Sequence, residues 1–216
     1  MINLNFKTAN TMAYSIVEIE NKTYIMDLGS MKGKRYFIGL LPEEITVDMI
    51  ELAPSNDSFE IKPKTRLGTT TIAIMVQPFV ALLYGAMKTA FISMGLSQQI
   101  FLKFIIFVLS MVFAYLGAIF YEKSTQRKVA SRIPENSKRY RLTFKPNGKR
   151  NPALVFGIVL NLVCLAFFMG INSGSEGAVL VINGLISIFF FVFARMPVIS
   201  SSYRNKELLP VEIEEV

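Results

Sequence analysis

The chain of 216 residues contains no histidine, no tryptophan and a single cysteine, Cys164. Without histidine there is no imidazole for acid–base chemistry or for a zinc site, and one cysteine excludes a disulfide within the chain. Charged residues make up only 18% of the chain, whereas 52% of the residues are hydrophobic, which is more apolar than an ordinary soluble domain. The composition therefore indicates an integral membrane protein and disfavours most enzyme chemistry.

The apolar residues are concentrated in four blocks, at positions 67–87, 104–121, 153–171 and 178–194. At about 1.5 Å of rise per residue, a helix of roughly 20 residues crosses the hydrocarbon core of a bilayer. The second block can be extended back to Lys103, whose flexible stem would carry its ammonium group to the interface. No Asp or Glu lies inside the blocks, which disfavours proton coupling by the chain's own residues. The sequence thus predicts an α-helical polytopic membrane protein with four transmembrane helices.

The orientation of the chain in the membrane follows from the segment 122–152, which contains ten basic residues and only two glutamates. The positive-inside rule places this segment in the cytoplasm, and four crossings then place the N- and C-termini there too. We interpret the basic residues as contacts for anionic lipid head groups or for a partner. Nucleic-acid binding, which the interleaved Tyr140 and Phe144 would also suit, is disfavoured, because two nearby membrane exits already account for the charge. The ten residues are Lys123, Arg127, Lys128, Arg132, Lys138, Arg139, Arg141, Lys145, Lys149 and Arg150.

The first 66 residues form a different kind of segment, with apolar residues that alternate with polar ones. We predict a small β-rich or α+β cytoplasmic module of about 60 residues. Because so small a domain buries little surface, we expect it to rest on the membrane, on the basic segment or on a partner. Acidic side chains between Pro42 and Glu60 are expected to face the basic segment.

Within this module the alternation predicts a hairpin of strands 14–19 and 23–28 joined at residues 20–22. A third strand is predicted at 35–40, a short helix from Pro42 and a final strand at 58–62. The whole chain is then divided into a module at 1–66, helices at 67–121, a basic loop at 122–152, helices at 153–195 and a cytoplasmic tail at 196–216.

The candidate residues inside the membrane are polar or small. Gln77, Asn161 and Asn183 are expected to form hydrogen bonds between helices or to line a path, and Pro78 would kink the first span. Ser110, Ala114 and Ala118 recur at a spacing of four, which lets helices approach closely. No phosphate-binding loop, zincin motif or nucleophile elbow is present in the sequence. We therefore predict a protein that is not an enzyme, with no catalytic residues, cofactor or metal.

The residues YSIVEIENKTYIMDL at positions 14–28, followed by spans clustered around a basic central loop, resemble the tandem five-transmembrane family of Gram-positive bacteria. That family includes immunity proteins encoded beside a type VII secreted toxin that depolarises membranes. The resemblance implies a cell-membrane protein that protects its producer by neutralising a membrane-inserting toxin. Four apolar blocks are present here, where the family name implies five. The alternatives are a membrane subunit of an exporter or permease, and a membrane scaffold or sensor.

Overall fold

The structure, a computed structural model, describes residues 2–54, 56–61, 69–134 and 136–216, and of residues 69–76 only the backbone. The chain forms two compact units. The sheet unit comprises Met1–Ile61, Ala118–Phe156 and Phe190–Val216, and the helical unit comprises Lys62–Gly117 and Gly157–Phe189.

The sheet unit contains one antiparallel sheet of six strands, in which every strand pairs with its neighbours in the sequence. Four of the strands belong to the N-terminal third, the fifth lies in the basic segment and the sixth lies in the C-terminal tail. The strands are β1 Asn5–Thr8, β2 Tyr14–Ile19, β3 Lys22–Asp27, β4 Ile45–Leu52, β5 Arg139–Pro146 and β6 Leu208–Glu215. The sheet is therefore not confined to residues 1–66, and residues 122–152 and 196–216 are not simply a loop and a tail.

Long helices are inserted between the later strands. Helices α1 (Thr69–Ser93) and α2 (Ile100–Ala130) connect β4 to β5, whereas α3 (Ala153–Gly170), α4 (Glu176–Arg195) and the short α5 (Ser200–Arg204) connect β5 to β6. Among the described residues, α2, α3 and α4 are long and apolar enough to cross a membrane. The described residues thus form an antiparallel sheet and three helices that are both long and apolar enough to cross a membrane.

The first predicted span, 67–87, begins at residues that lie outside the described part of the chain. Its described portion belongs to α1, a helix of 25 residues that contains Pro78. The crossing of the membrane by this helix stays a prediction.

The hairpin of β2 and β3 is confirmed, with Tyr14 opposite Asp27 and Ile19 opposite Lys22. Its turn consists of Glu20 and Asn21, both at positive φ, as the tight turns that match strand twist require. In the final strand predicted at 58–62, the described residues form a single bridge, between Ala9 and Glu60.

The strand predicted at 35–40 is wrong, because Lys34–Ile38 forms a 3-10 helix. Gly33 and Gly39 flank it at positive φ, and a Cβ on Gly33 would lie 2.7 Å from the carbonyl oxygen of Glu44. Adjacent Tyr36 and Phe37 are both buried. A strand would send two neighbouring side chains to opposite faces.

The helix predicted from Pro42 is also wrong, because β4 begins three residues later. Ile45, Val47 and Met49 are fully buried, and the residues between them are only partly buried. This period of two suits a strand with one face on the core. This alternation of buried residues outweighed the proline followed by glutamates, which had indicated the start of a helix.

The core of the sheet unit includes residues from segments far apart in the sequence. Val17, Ile25 and Met49 of the N-terminal third share one cluster with Phe144 of β5 and Leu208 of β6. Ala118 and Val129 of α2 and Val192 of α4 belong to the same cluster. The N-terminal third is therefore stabilised by the basic segment, one of the three supports expected from the sequence.

Candidate functional site

The helical unit contains a buried pair of opposite charges, Lys103 on α2 and Glu176 on α4. The side chains of both residues are completely inaccessible to solvent, and the Lys103 Nζ lies 3.9 Å from the Glu176 Oε1. Lys103 also donates hydrogen bonds to the Ile171 carbonyl oxygen at 2.6 Å and to the Asn172 Oδ1 at 3.2 Å. The Lys103 stem thus carries its ammonium group to the connection between α3 and α4, where protein groups rather than solvent surround it; its position at the membrane interface stays a prediction.

Helix ends explain why these charges are tolerated there. Lys103 meets carbonyl groups just after the C-terminus of α3, where the helix dipole is negative, and Glu176 is the first residue of α4, where the dipole is positive. Neither oxygen of Glu176 has a hydrogen-bond partner among the described residues. Glu176 lies outside the apolar block at 178–194, whereas in the structure it is the first residue of the membrane-length helix α4.

Further polar residues follow Glu176 along one side of α4. Asn183 and Ser187 are fully buried, and their spacings of seven and four residues bring all three to the same helix face. Ser187 donates a hydrogen bond of 2.6 Å to the Oδ1 of Asn161 on α3, whose amide nitrogen donates to the Gly157 carbonyl oxygen at 2.8 Å. We call Lys103, Asn161, Glu176, Asn183 and Ser187 the polar row.

Asn183 differs from the two other uncharged members of the polar row, Asn161 and Ser187, which bond to each other. Neither its Oδ1 nor its Nδ2 has a hydrogen-bond partner in the described part of the chain. A buried amide without a partner costs free energy. Among the uncharged members of the row, Asn183 is therefore the residue with free capacity to bind something else.

The other predicted intramembrane residues are not part of the polar row. Gln77 and Pro78 are exposed on α1. Ser110 donates a hydrogen bond to the Phe107 carbonyl oxygen, while Ala114 and Ala118 are buried. These two alanines thus pack within the protein and offer no free surface to a partner helix.

A second cluster of charges lies in the sheet unit. Arg195, the last residue of α4, donates from Nε to the largely buried carboxylate of Glu122 on α2. The Lys34 Nζ donates to the Arg195 carbonyl oxygen and to the Gly29 carbonyl oxygen, the latter at 3.0 Å. These contacts attach the end of α4 to helix α2 and to the turn that follows β3.

Burial changes the proton affinities in this second cluster. It raises the pKa of Tyr14 well above its ordinary value, and the charges of Asp27 and Glu122 act in the same direction. It lowers the pKa of Lys34. It also raises the pKa of Asp27, although hydrogen bonds from the backbone of Gly29 and Ser30 oppose the shift.

The Asp27 shift has a consequence for stability. Because the pKa of Asp27 is raised in the folded state, its ionisation opposes folding above that pKa, and the penalty disappears as the pH falls through it. We expect wild type to gain stability relative to Asp27→Asn between pH 7 and pH 4, measured by thermal unfolding of the full chain. The amide of the variant retains an oxygen for the Gly29 N–H, so a pH-independent difference between the two proteins would contradict this assignment.

The ten basic residues predicted as lipid or partner contacts are spread over three elements. Lys123, Arg127 and Lys128 lie on the last turns of α2, followed by Arg132. Lys138, Arg139, Arg141 and Lys145 lie in or beside β5, and Lys149 and Arg150 precede α3. Their contact with lipid head groups stays a prediction.

Three of these basic residues form ion pairs with acidic residues in the sheet unit. Arg141 pairs with Asp48 at 3.0 Å, Lys138 with Glu215 at 3.1 Å and Lys145 with Glu44 at 3.6 Å. The expected attraction between the acidic N-terminal residues and the basic segment is confirmed by the two pairs that involve Asp48 and Glu44.

The aromatic residues of the basic segment are part of the sheet. Phe144 is fully buried. The Tyr140 ring packs edge-on against Tyr24 with 5.4 Å between centroids, and its hydroxyl donates to Glu51. Phe144 is therefore not free to stack on a nucleic-acid base, and Tyr140 already contacts two residues of the sheet unit.

Sequence reasoning missed the pairing of Lys103 with Glu176, although one signal was present. Lysine in the first turn of a helix opposes the helix dipole, so its position there indicated a contact with another element. In the described parts of the chain no cluster of His, Cys, Asp or Glu is suited to hold a metal ion. Comparison with protein-family models, curated proteins and solved structures gives no match.

Proposed function

We propose that the chain crosses the membrane four times and that all three of its sheet-forming segments lie in the cytoplasm. The support is the sheet itself: β4, β5 and β6 are hydrogen-bonded neighbours, so they must share one side of the membrane. Between β5 and β6 the chain passes through α3 and α4, an even number of crossings. Between β4 and β5 it passes through α2, so a return to the same side requires α1 to cross as well.

Cysteine labelling tests this topology. In a Cys164→Ser background, single cysteines at Lys7, Lys145 and Glu212 should react with a membrane-impermeant maleimide only after the cells are permeabilised. A cysteine at Ser173, in the exposed α3–α4 connection, should react in intact cells. Labelling of the first three positions from opposite sides would refute the four-span arrangement.

We further propose that the protein keeps the membrane of its own cell polarised by binding a membrane-inserted toxin laterally, without catalysis. The resemblance at residues 14–28 motivates this role. The observation that carries it is the outer surface of the helical unit, where Phe101, Phe113 and Phe167 are 77%, 69% and 61% exposed. In the interior, Lys103, Asn161 and Ser187 already have internal partners. Such a body suits lateral contact with another membrane helix better than passage of a solute.

The test is membrane potential, followed with a voltage-sensitive dye in cells challenged with the type VII secreted toxin from the gene neighbourhood. Cells that produce the chain should stay polarised, and cells without it should depolarise. Alanine at Phe101, Phe113 or Phe167 should weaken protection without lowering thermal stability, whereas alanine at the fully buried neighbour Phe168 should lower stability first. Depolarisation despite correct insertion of the chain would refute the proposal.

A second candidate, an exporter or permease subunit, is favoured by one observation, the unpartnered amide of Asn183 in the polar row. Such a buried group would suit a polar substrate. This role predicts loss of transport in Asn183→Leu. It also predicts a partner subunit, such as an ATPase, that copurifies with the wild-type chain in mild detergent. Recovery of the chain alone would count against it.

A further inference from the structure

The sheet unit carries an exposed apolar loop at residues 38–41, directly after the 3-10 helix. Ile38, Leu40 and Leu41 expose 42%, 52% and 43% of their surface. Three large aliphatic side chains exposed within four residues form a patch, unlike the single exposed apolar residues common on soluble domains. The strand predicted at 35–40 would not have explained why these three side chains are exposed.

Two contacts locate the apolar loop next to the ends of membrane-length helices. A Cβ on Gly39 would lie 3.8 Å from the Cβ of Pro152, the residue before α3 begins. Lys34, at the start of the same 3-10 helix, donates to the carbonyl oxygen of Arg195, where α4 ends. The loop therefore lies beside the ends of these two helices.

Positions along helix α2 show how far other parts of the sheet unit lie from the start of α3 and the end of α4. Glu122 of α2 pairs with Arg195, the last residue of α4. Glu122 therefore lies at the same end of the sheet unit as the C-terminus of α4. Ala130, the last residue of α2, follows eight residues later, about 12 Å further along at helical rise. Arg132, two residues beyond the helix, contacts the side-chain oxygen of Asn10 at 3.4 Å. Met12, two residues beyond Asn10 and 57% exposed, thus belongs to the distant end.

Positive charges accompany the apolar loop. Arg35 in the 3-10 helix is exposed, as are Lys149 and Arg150 just before Pro152. Exposed aliphatic side chains beside cations are the combination by which proteins bind the interface of a membrane that contains anionic lipid.

We propose that residues 38–41 insert into the interfacial layer of the same membrane that α3 and α4 cross, with Arg35, Lys149 and Arg150 against anionic head groups. The insertion attaches the sheet unit to the bilayer directly, in addition to its covalent links to the helices. It requires only that α3 and α4 cross, and it is independent of the toxin-neutralising role.

The test uses the full chain with Cys164→Ser, reconstituted in phosphatidylcholine vesicles with and without phosphatidylglycerol. An environment-sensitive fluorophore is attached to Leu40→Cys or, as the matched control, to Met12→Cys. We expect a blue-shifted emission at position 40 and loss of most of its intensity when the lipids carry bromine on their acyl chains. The label at position 12 should show neither effect.

A second substitution checks the contact itself. Adding Leu41→Glu to the Leu40→Cys protein should reduce bromine quenching, whereas adding Met12→Glu should not. Since both sites are exposed, neither change should lower the thermal unfolding temperature in detergent. Weaker quenching without phosphatidylglycerol would support the role of the cations.

Either of two results would overturn the proposal. Emission at position 40 that is neither blue-shifted nor quenched, as expected at position 12, would mean that the loop stays in water. A blue-shifted emission at position 40 without bromine quenching would mean that a second copy of the chain or another protein covers the loop.

Discussion

Replacing Lys103 with methionine should destabilise the folded chain by about 3–5 kcal/mol, the cost of removing one partner from a buried ion pair. The substitution preserves the length of the side chain but removes the donor that holds the carbonyl groups of Ile171 and Met169. It also leaves Glu176 without a compensating charge in a position inaccessible to water. Thermal unfolding of the detergent-solubilised full chain measures the loss.

The companion variants separate charge from packing. Glu176→Gln should cost less than Lys103→Met, because Lys103 keeps its carbonyl partners. The double variant should lose less stability than the sum of the two single changes, since no unpaired charge then remains buried. Lys88→Met, at an exposed lysine on α1, is the matched control. If Lys103→Met were as stable as Lys88→Met, the ammonium group would have to reach water.

Replacing Phe144 with alanine should also cost about 3–5 kcal/mol, the range found for large-to-small changes of buried aromatic residues. Phe144 is fully buried in the core of the sheet unit, and its strand pairs with β4 on one side and β6 on the other. If residues 122–152 were a solvated basic loop, the same change would cost almost nothing. Denaturant or thermal unfolding of the full chain distinguishes the two.

The neighbouring residue supplies the control for this change. Lys145 follows Phe144 in β5, its side chain is 55% exposed and its ion pair with Glu44 spans 3.6 Å. Lys145→Ala should therefore change stability by less than about 0.5 kcal/mol. Equal effects of the two substitutions would mean that β5 is not an integral strand of the sheet.

The local elements that could be predicted from the sequence are those with a strong signal of one period. The hairpin at 14–28 alternates apolar and polar residues around a turn, and the apolar runs beginning at 104, 153 and 178 coincide with helices. At residues 35–40 the signals conflicted. Gly33 and Gly39, both at positive φ, flank the 3-10 helix in this segment. The adjacent buried aromatic residues at 36 and 37 do not fit a strand.

The candidate site was predictable only in part. Asn161 was identified as an intramembrane hydrogen-bonding residue, and it bonds to Ser187 on the neighbouring helix. Asn183 was expected to play the same part, but it has no such partner among the described residues. Glu176 was overlooked, because hydropathy alone could not tell whether the helix begins before or after it.

The sequence by itself determined which segments are apolar enough for a membrane and where the first hairpin turns, because both follow from residues that are close along the chain. Only the tertiary structure decided that β5 and β6 complete the sheet and that Lys103 meets Glu176. These contacts join segments separated by whole helices, and neither partner carries a local signal that names the other. Burial against distant partners turns part of the basic segment into the strand β5. It also brings Lys103 and Glu176, which lie near helix ends, together as a buried ion pair.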